Sequence, residues 1–163
     1  MSEAVFKAIN DQIVHEFQSA HQYLSLAAWF EDRKLPGFAS WMRIQAREEQ
    51  GHAMRFFEHL VDRDERVRLG AIEAPRQDFD SPLDAATAVL ENERRITRLI
   101  NNLFDLAVEA HDYAAKVLLD WFVNEQVEEE KVADQLVADV KLAGDDPTAL
   151  LYLDGRLAQR ESS

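Results

Sequence analysis

Four stretches of this chain each carry an apolar stripe at helical spacing, and each stripe is broken near its middle by a residue type that binds metal. Steps of three and four keep every member of such a stripe on one helix face. The first runs Phe6, Ile9, Ile13, Glu16, Ala20, Tyr23, Ala27, Phe30, and Glu16 is its single charge. The second, Phe38, Met42, Gln45, Glu49, His52, Phe56, turns polar at its centre, with Glu49 and His52 one turn apart. The third, Ala86, Val89, Glu93, Ile96, Ile100, Leu103, Ala107, Ala110, holds only Glu93. The fourth, Ala115, Leu119, Phe122, Gln126, Glu129, Ala133, Leu136, Val140, is interrupted by Gln126 and Glu129 at that same one-turn spacing.

Four unpaired carboxylates inside one bundle cost several kcal/mol each, a sum comparable with the roughly 5–15 kcal/mol stability of a whole domain. No Lys or Arg lies on the four stripes. Two divalent cations would cancel four carboxylate charges and share bridging oxygens, so the pattern points to a dinuclear metal centre. A lone Glu-x-x-His carries little weight in so acidic a chain, where about one is expected by chance. The weight rests on four stripes being interrupted at corresponding places.

Five Gly and four Pro in 163 residues leave few turns for an all-β fold, and Ala, Leu, Glu and Arg dominate, so the expected class is all-α in a single domain, residues 1–163. The absence of Cys excludes disulfides and thiolate metal sites and is compatible with a reducing compartment. A net charge of -13 argues against nucleic acid and anionic membranes as partners. No stretch approaches the ~20 apolar residues of a membrane span. The start, MSEAVFKAIN, has neither a basic region nor an apolar run of the export type, so a cytoplasmic location is expected.

Punctuation predicts helices over about 3–33, 37–65, 82–110, 112–143 and 147–158. Leu35-Pro36-Gly37 marks a tight turn, Ser81-Pro82 with Asp84 a helix start, Ala143-Gly144 a helix end, and Asp146-Pro147 the opening of a short fifth helix. Between the second and third helices, RVRLGAIEAPRQDFD has no helical stripe. Fifteen extended residues reach about 50 Å, and a 28-residue helix is about 42 Å long. The link can therefore cross the whole bundle, leaving the second and third helices parallel and Glu16, Glu49, Glu93 and Glu129 at a similar height. The apolar fifth helix has no obvious place in a closed four-helix core, and is expected to dock against neighbouring subunits.

Carboxylates with one imidazole suit Fe(II), Mn(II) or Zn(II), and of these Fe(II) makes a dinuclear site capable of two-electron chemistry with O2 or peroxide. Di-iron carboxylate bundles often carry Glu-x-x-His on two helices. Here the fourth helix offers Gln126-x-x-Glu129 without His, so one metal should be held more weakly.

The segments HEFQSAHQY, QAREEQGH, LENERRIT and WFVNEQVEEEK, with the long crossover and short fifth helix, resemble bacterial non-haem ferritin over essentially the whole chain. The resemblance implies a ferritin-like four-helix bundle and a hollow shell of twenty-four identical subunits. Such a shell oxidises Fe(II) with O2 or H2O2 at a di-iron ferroxidase centre and stores the ferric product as mineral. It also implies that Glu16, Glu49 and His52 hold one iron, and Glu49, Glu93 and Glu129 the second, with Glu49 bridging. Gln126 would be a weak or outer ligand of the second iron, Tyr23 an adjacent phenol, and Glu48, Glu125 and Glu128 would form a third iron site with Glu129. Bacterioferritins, similar in fold, carry a second Glu-x-x-His and a haem-binding Met where this chain has Glu129 and Gln50, so haem is not expected. The Dps family's intersubunit ligands and Lys-rich tail have no counterpart here. Acidic residues that line an entry channel in some family members correspond to Lys116 and Leu119.

His15, His21, His59 and His111 fall off the ligand set, and Trp29, Trp41 and Trp121 are expected to pack or line subunit interfaces. Two other function classes remain open. A small non-storage di-iron oxidoreductase would use the same ligands without a cavity, and a metal-free interaction bundle would bury its four Glu protonated or hydrogen-bonded.

Overall fold

The computed structural model describes residues 1–161. Its five helices are α1 (Glu3–Asp32), α2 (Pro36–Asp62), α3 (Pro82–Glu109), α4 (Tyr113–Ala143) and α5 (Pro147–Leu157), with no strand among the described residues. The fold is the all-α, four-helix bundle with one long crossover that the stripes require.

Local chemistry sets the helix starts. The Ser2 hydroxyl accepts from Val5 N, that of Ser81 from Asp84 N, and Asp112 Oδ1 from Ala115 N, each satisfying a donor of a first turn. Three of the helix ends share one device. After α1, Lys34 N donates to Glu31 O and Leu35 N to Phe30 O; the same pair of bonds closes α2 at Asp64 and Glu65, and α3 at His111 and Asp112. The middle residues, Lys34, Asp64 and His111, all have positive φ, as this cap demands. The second helix consequently ends at Asp62, earlier than the 65 expected from its pattern.

The crossover is laid along α1 by side-chain amides. Asn10 Oδ1 accepts from Arg68 N, Gln18 bonds both backbone groups of Glu73, Gln22 bonds both of Arg76, and Ser25 Oγ donates to Arg76 O. Residue numbers rise together on both strands of this ladder, so the crossover travels in the direction of α1. It thus runs from the end of α2 back to the level where α2 began, and α3 starts there parallel to α2.

Two apolar clusters fill the bundle. One contains Tyr23, Phe30, Phe38, Met42, Val89 and Leu136; the other contains Ile9, Ile13, Phe56, Ile96, Ile100 and Phe122. A polar layer of Glu16, Ser19, Gln45, Glu49, His52, Glu93, Gln126 and Glu129, all buried, belongs to neither.

α5 packs on its own subunit as well as presenting a free face. Leu153 joins the first apolar cluster, while Leu151 and Tyr152 stay exposed. Only that exposed face is left free for the docking expected from the sequence. The other face closes α2. Leu35 supplies no side-chain cap there, and Asp154 Oδ1 instead accepts from Phe38 N at 2.9 Å. A Cβ at Gly37 would lie 1.8 Å from Asp154 O. Gly37→Ala must therefore push α5 away from the α2 terminus and should cost about 1–3 kcal/mol. A melting curve superimposable on that of the unaltered chain would rule out this docking.

Candidate metal centre

Each of the four bundle helices delivers its polar interruption to one place. Three groups of ligand atoms each lie within 4.8 Å of one another: Glu16, Glu49 and His52; Glu49, Glu93 and Glu129; and His52, Glu125 and Glu129. The first two overlap at Glu49. One-turn spacing puts Glu49 and His52 on the same face of α2, and it does the same for Gln126 and Glu129 on α4.

Hydrogen bonding around the four carboxylates is uneven in an informative way. Gln12 Nε2 donates to Glu16 Oε1 at 2.8 Å, and Gln45 Nε2 to Glu129 Oε2 at 3.0 Å. Glu93 accepts from the Tyr23 hydroxyl on Oε1 and from Gln126 Nε2 on Oε2, the latter at 3.2 Å. The remaining Glu16 Oε2, both oxygens of Glu49, His52 Nδ1 and Gln126 Oε1 are buried with no hydrogen-bond partner. Buried polar atoms are almost always paired, and an orphan costs about 1–3 kcal/mol. Five orphans that are all electron-pair donors, set among converging carboxylates, match the requirements of cations. Glu49 alone has both oxygens unengaged, which suits a bridge between two ions.

Burial also moves protons. It raises Glu49 well above the usual carboxylate range, with the nearby Glu93 and Glu16 charges adding to the effect. Burial lifts Glu93 to about 7 against the hydrogen bonds from Tyr23 and Gln126, and it lifts Glu129 to about 7 with the help of Glu93 and against Gln45. Burial, followed by the Glu93 charge, pushes the Tyr23 hydroxyl well above 10. Without a cation, the centre therefore holds protons near neutral pH.

His52 is oriented by its surroundings. Nδ1 lies 3.5 Å from Glu49 Oε2 and 4.0 Å from Glu16 Oε2, Nε2 lies 3.8 Å from Glu125 Oε1, and the rings of Trp121 and Phe122 pack edge-on against the imidazole. Trp121 thus packs at the site, with the guanidinium of Arg55 over its ring.

The residues expected to form a third position are not all gathered. Glu125 approaches His52 and Glu129, Glu48 is engaged by Arg160 at 3.2 Å, and Glu128 is exposed and belongs to no ligand group among the described residues. Three successive glutamates on a helix point in three directions. Leu119 is fully buried in the second apolar cluster, so of the two channel positions only Lys116 reaches the surface. His21 and His111 are exposed, and His15 and His59 are half-buried away from the ligands.

Gln12 and Gln45 lie outside the ligand set expected from the stripes; Gln12 stands one turn before Glu16, the glutamate it bonds, whereas Gln45 bonds Glu129 on another helix, which spacing along the chain does not reveal. Arg95, half-buried and within electrostatic range of Glu16 and Glu93, and Arg160, beyond α5, approach from off the stripes, where periodicity carries no signal.

Comparison with known proteins gives one family, described as Ferritin-like domain, matching residues 6–143. A bacterial non-heme ferritin of Staphylococcus saprophyticus is 36% identical over 160 residues, 98% of this chain and 96% of the relative. That of Staphylococcus aureus (strain USA300) is 34% identical over the same shares. Among solved structures, an engineered closed form of Archaeoglobus fulgidus ferritin superposes with a TM-score of 0.98 at 42% identity, covering 100% of this chain and 99% of that one. The open pore ferritin of the same archaeon gives 0.97 at 43% identity, covering 99% of each chain.

Proposed function

The chain belongs to the ferritin-like family and stores iron, and from that premise we propose that its polar layer is a two-iron ferroxidase centre feeding a mineral core. The observation that carries the proposal is the set of five buried, unpartnered donor atoms shared between two carboxylate-rich groups that meet at Glu49. Glu16, Glu49 and His52 would hold one iron. Glu49, Glu93 and Glu129 would hold the other, with the Gln126 amide oxygen turned toward it and Tyr23 bonded to Glu93. Iron is the substrate here. Each of two Fe(II) ions gives up one electron, and O2 with two protons becomes H2O2, or H2O2 with two protons becomes two waters.

The protein's part is to hold two cations side by side and to manage protons. Entering Fe(II) displaces the protons carried by Glu93 and Glu129. The second ligand group has no imidazole, so its ion is held less firmly, which favours passage of the ferric product to the mineral over permanent residence.

Storage needs an enclosure. The chain assembles with copies of itself, and a shell of twenty-four subunits in the cytoplasm is the proposed form. Exposed Val117, Val127, Leu142, Leu151 and Tyr152 are apolar surface for such contacts. No helix among the described residues is long and apolar enough to cross a membrane.

Adding a large excess of Fe(II) in air to metal-free protein, followed by size-exclusion chromatography with iron assay, tests the proposal. Iron far above two per chain should co-elute with a very large soluble particle. At most two per chain in a small particle would identify a non-storage di-iron oxidoreductase instead.

A further inference from the structure

Beyond the end of α5 the chain brings Arg160 back onto α2. The Arg160 guanidinium carbon lies 4.7 Å from the centroid of the Trp41 ring, and Nη2 donates both to Gln45 Oε1 and, at 3.2 Å, to Glu48 Oε2. Trp41, Gln45 and Glu48 follow one another at helical spacing, so they form one strip along α2. The Arg160 side chain is only 23% exposed, and its Nη1 is buried without a hydrogen-bond partner. Leu153 and Asp154 already anchor α5, so docking of the helix does not account for a cation enclosed at this point.

The amide of Gln45 explains what the cation does. Arginine has five donors and no acceptor. Beside it the amide must turn its oxygen outward and its NH2 inward. Inward lie Glu129 Oε2 at 3.0 Å and the Tyr23 oxygen at 3.4 Å, and Tyr23 in turn donates to Glu93. With Arg160 absent, the amide could reverse and set its oxygen against the Glu129 carboxylate, an unfavourable contact between two acceptors. Glu16 is held separately by Gln12, and neither Glu49 oxygen is in this chain of bonds.

We propose that Arg160 is a positioning residue of the metal centre. It fixes Gln45 in the one amide orientation that holds Glu129, and through Tyr23 also Glu93, for the second ion. The first ion, on Glu16, Glu49 and His52, lies outside its reach. The C-terminal arm is thereby part of the site, and Glu48 is engaged as the counter-charge of the same guanidinium. The inference rests on the two-ion reading given above.

Zn(II) titration by calorimetry on the full chain tests it without any redox step. The unaltered protein should take up two ions per chain. Arg160→Met, which keeps the packing over Trp41 but removes every donor, should weaken the second ion about 10–100-fold, the range expected for loss of an outer partner of a metal ligand. The first ion should be unaffected. Arg160→Lys, which restores a donor, should recover most of the loss. Gln45→Leu should reproduce it, and adding Arg160→Met to Gln45→Leu should do nothing more. Two ions on the unaltered protein, with an unchanged second affinity in Arg160→Met or an equal loss at both ions, would overturn the role of Arg160 alone. Fewer than two ions on the unaltered protein would overturn the two-ion reading and this proposal with it.

Discussion

Glu49→Gln should lose tight metal binding at both positions and slow Fe(II) oxidation by on the order of 100-fold or more, while leaving the metal-free protein more stable above neutral pH. Glu49 is the member common to the two ligand groups, and neither of its oxygens has a hydrogen bond. Removing an outer partner of a ligand already costs 10–100-fold in affinity or activity. Loss of charge on a ligand shared by both ions should exceed that. The opposite sign for stability follows from the same burial. Without metal, burial and the neighbouring Glu93 and Glu16 raise the Glu49 carboxyl well above its usual range, so ionising it works against folding. Glutamine has nearly the same shape and no charge to desolvate. Oxidation assays and melting curves at pH 8 on one preparation test both halves. A variant that oxidises iron normally, or that melts lower than the unaltered protein in chelator, would contradict this account of Glu49.

Metal-free protein should lose stability as pH rises from about 5.5 to 8, and Zn(II) should reverse that slope. Glu93 and Glu129 titrate near 7 in the fold, against about 4.3 for an unfolded glutamate. Between those values the folded state binds more protons than the unfolded state. The stabilising contribution of each group is therefore fully present below the unfolded value and is lost as pH rises through 7, at up to about 1.4 kcal/mol per pH unit per group. Asp84 and Asp112 work the other way. The hydrogen bonds from Asp80 N and Arg76 hold Asp84 below its usual value; at Asp112 burial pushes upward, but the hydrogen bonds from Ala115 N and Arg63 together outweigh it and hold that aspartate low as well. Their contribution falls away only under more acidic conditions, below the window measured. Bound cations need the glutamates ionised, so affinity and metal-dependent stabilisation both increase with pH. Melting temperatures with chelator and with Zn(II) should lie close together at pH 5.5 and separate widely by pH 8. Two parallel, flat profiles would show that the four glutamates do not share a cation site.

The parts of this molecule that periodicity governs were legible from the chain. Burial on a helix face repeats every three or four residues, so the stripes mark Glu16, Glu49, His52, Glu93, Gln126 and Glu129 as buried polar positions, and the reach of an extended chain lets α2 and α3 run parallel. Features set by a contact between distant residues were not legible. Lys34, Asp64 and His111 occupy left-handed positions where glycine is the usual signal. Asp154 closes α2 from 116 positions away, and Arg160 reaches Gln45 across 115. At the acidic run three successive glutamates point in three directions, so Glu128 is exposed although its neighbour Glu129 is buried. The apolar residues of the fifth helix exceed what a closed four-helix core needs and point to docking on neighbours, but periodicity does not show that Leu153 and Asp154 belong to its own bundle.

Anomalous diffraction at the zinc edge, from crystals of the protein soaked in Zn(II) at neutral pH, tests the central claim most directly. The account predicts two peaks about 3.5–4 Å apart inside every subunit. One should be ligated by Glu16, Glu49 and His52, the other by Glu49, Glu93 and Glu129, with Glu49 touching both. Metal found only on exposed carboxylates, with the four buried glutamates still unligated, would contradict it.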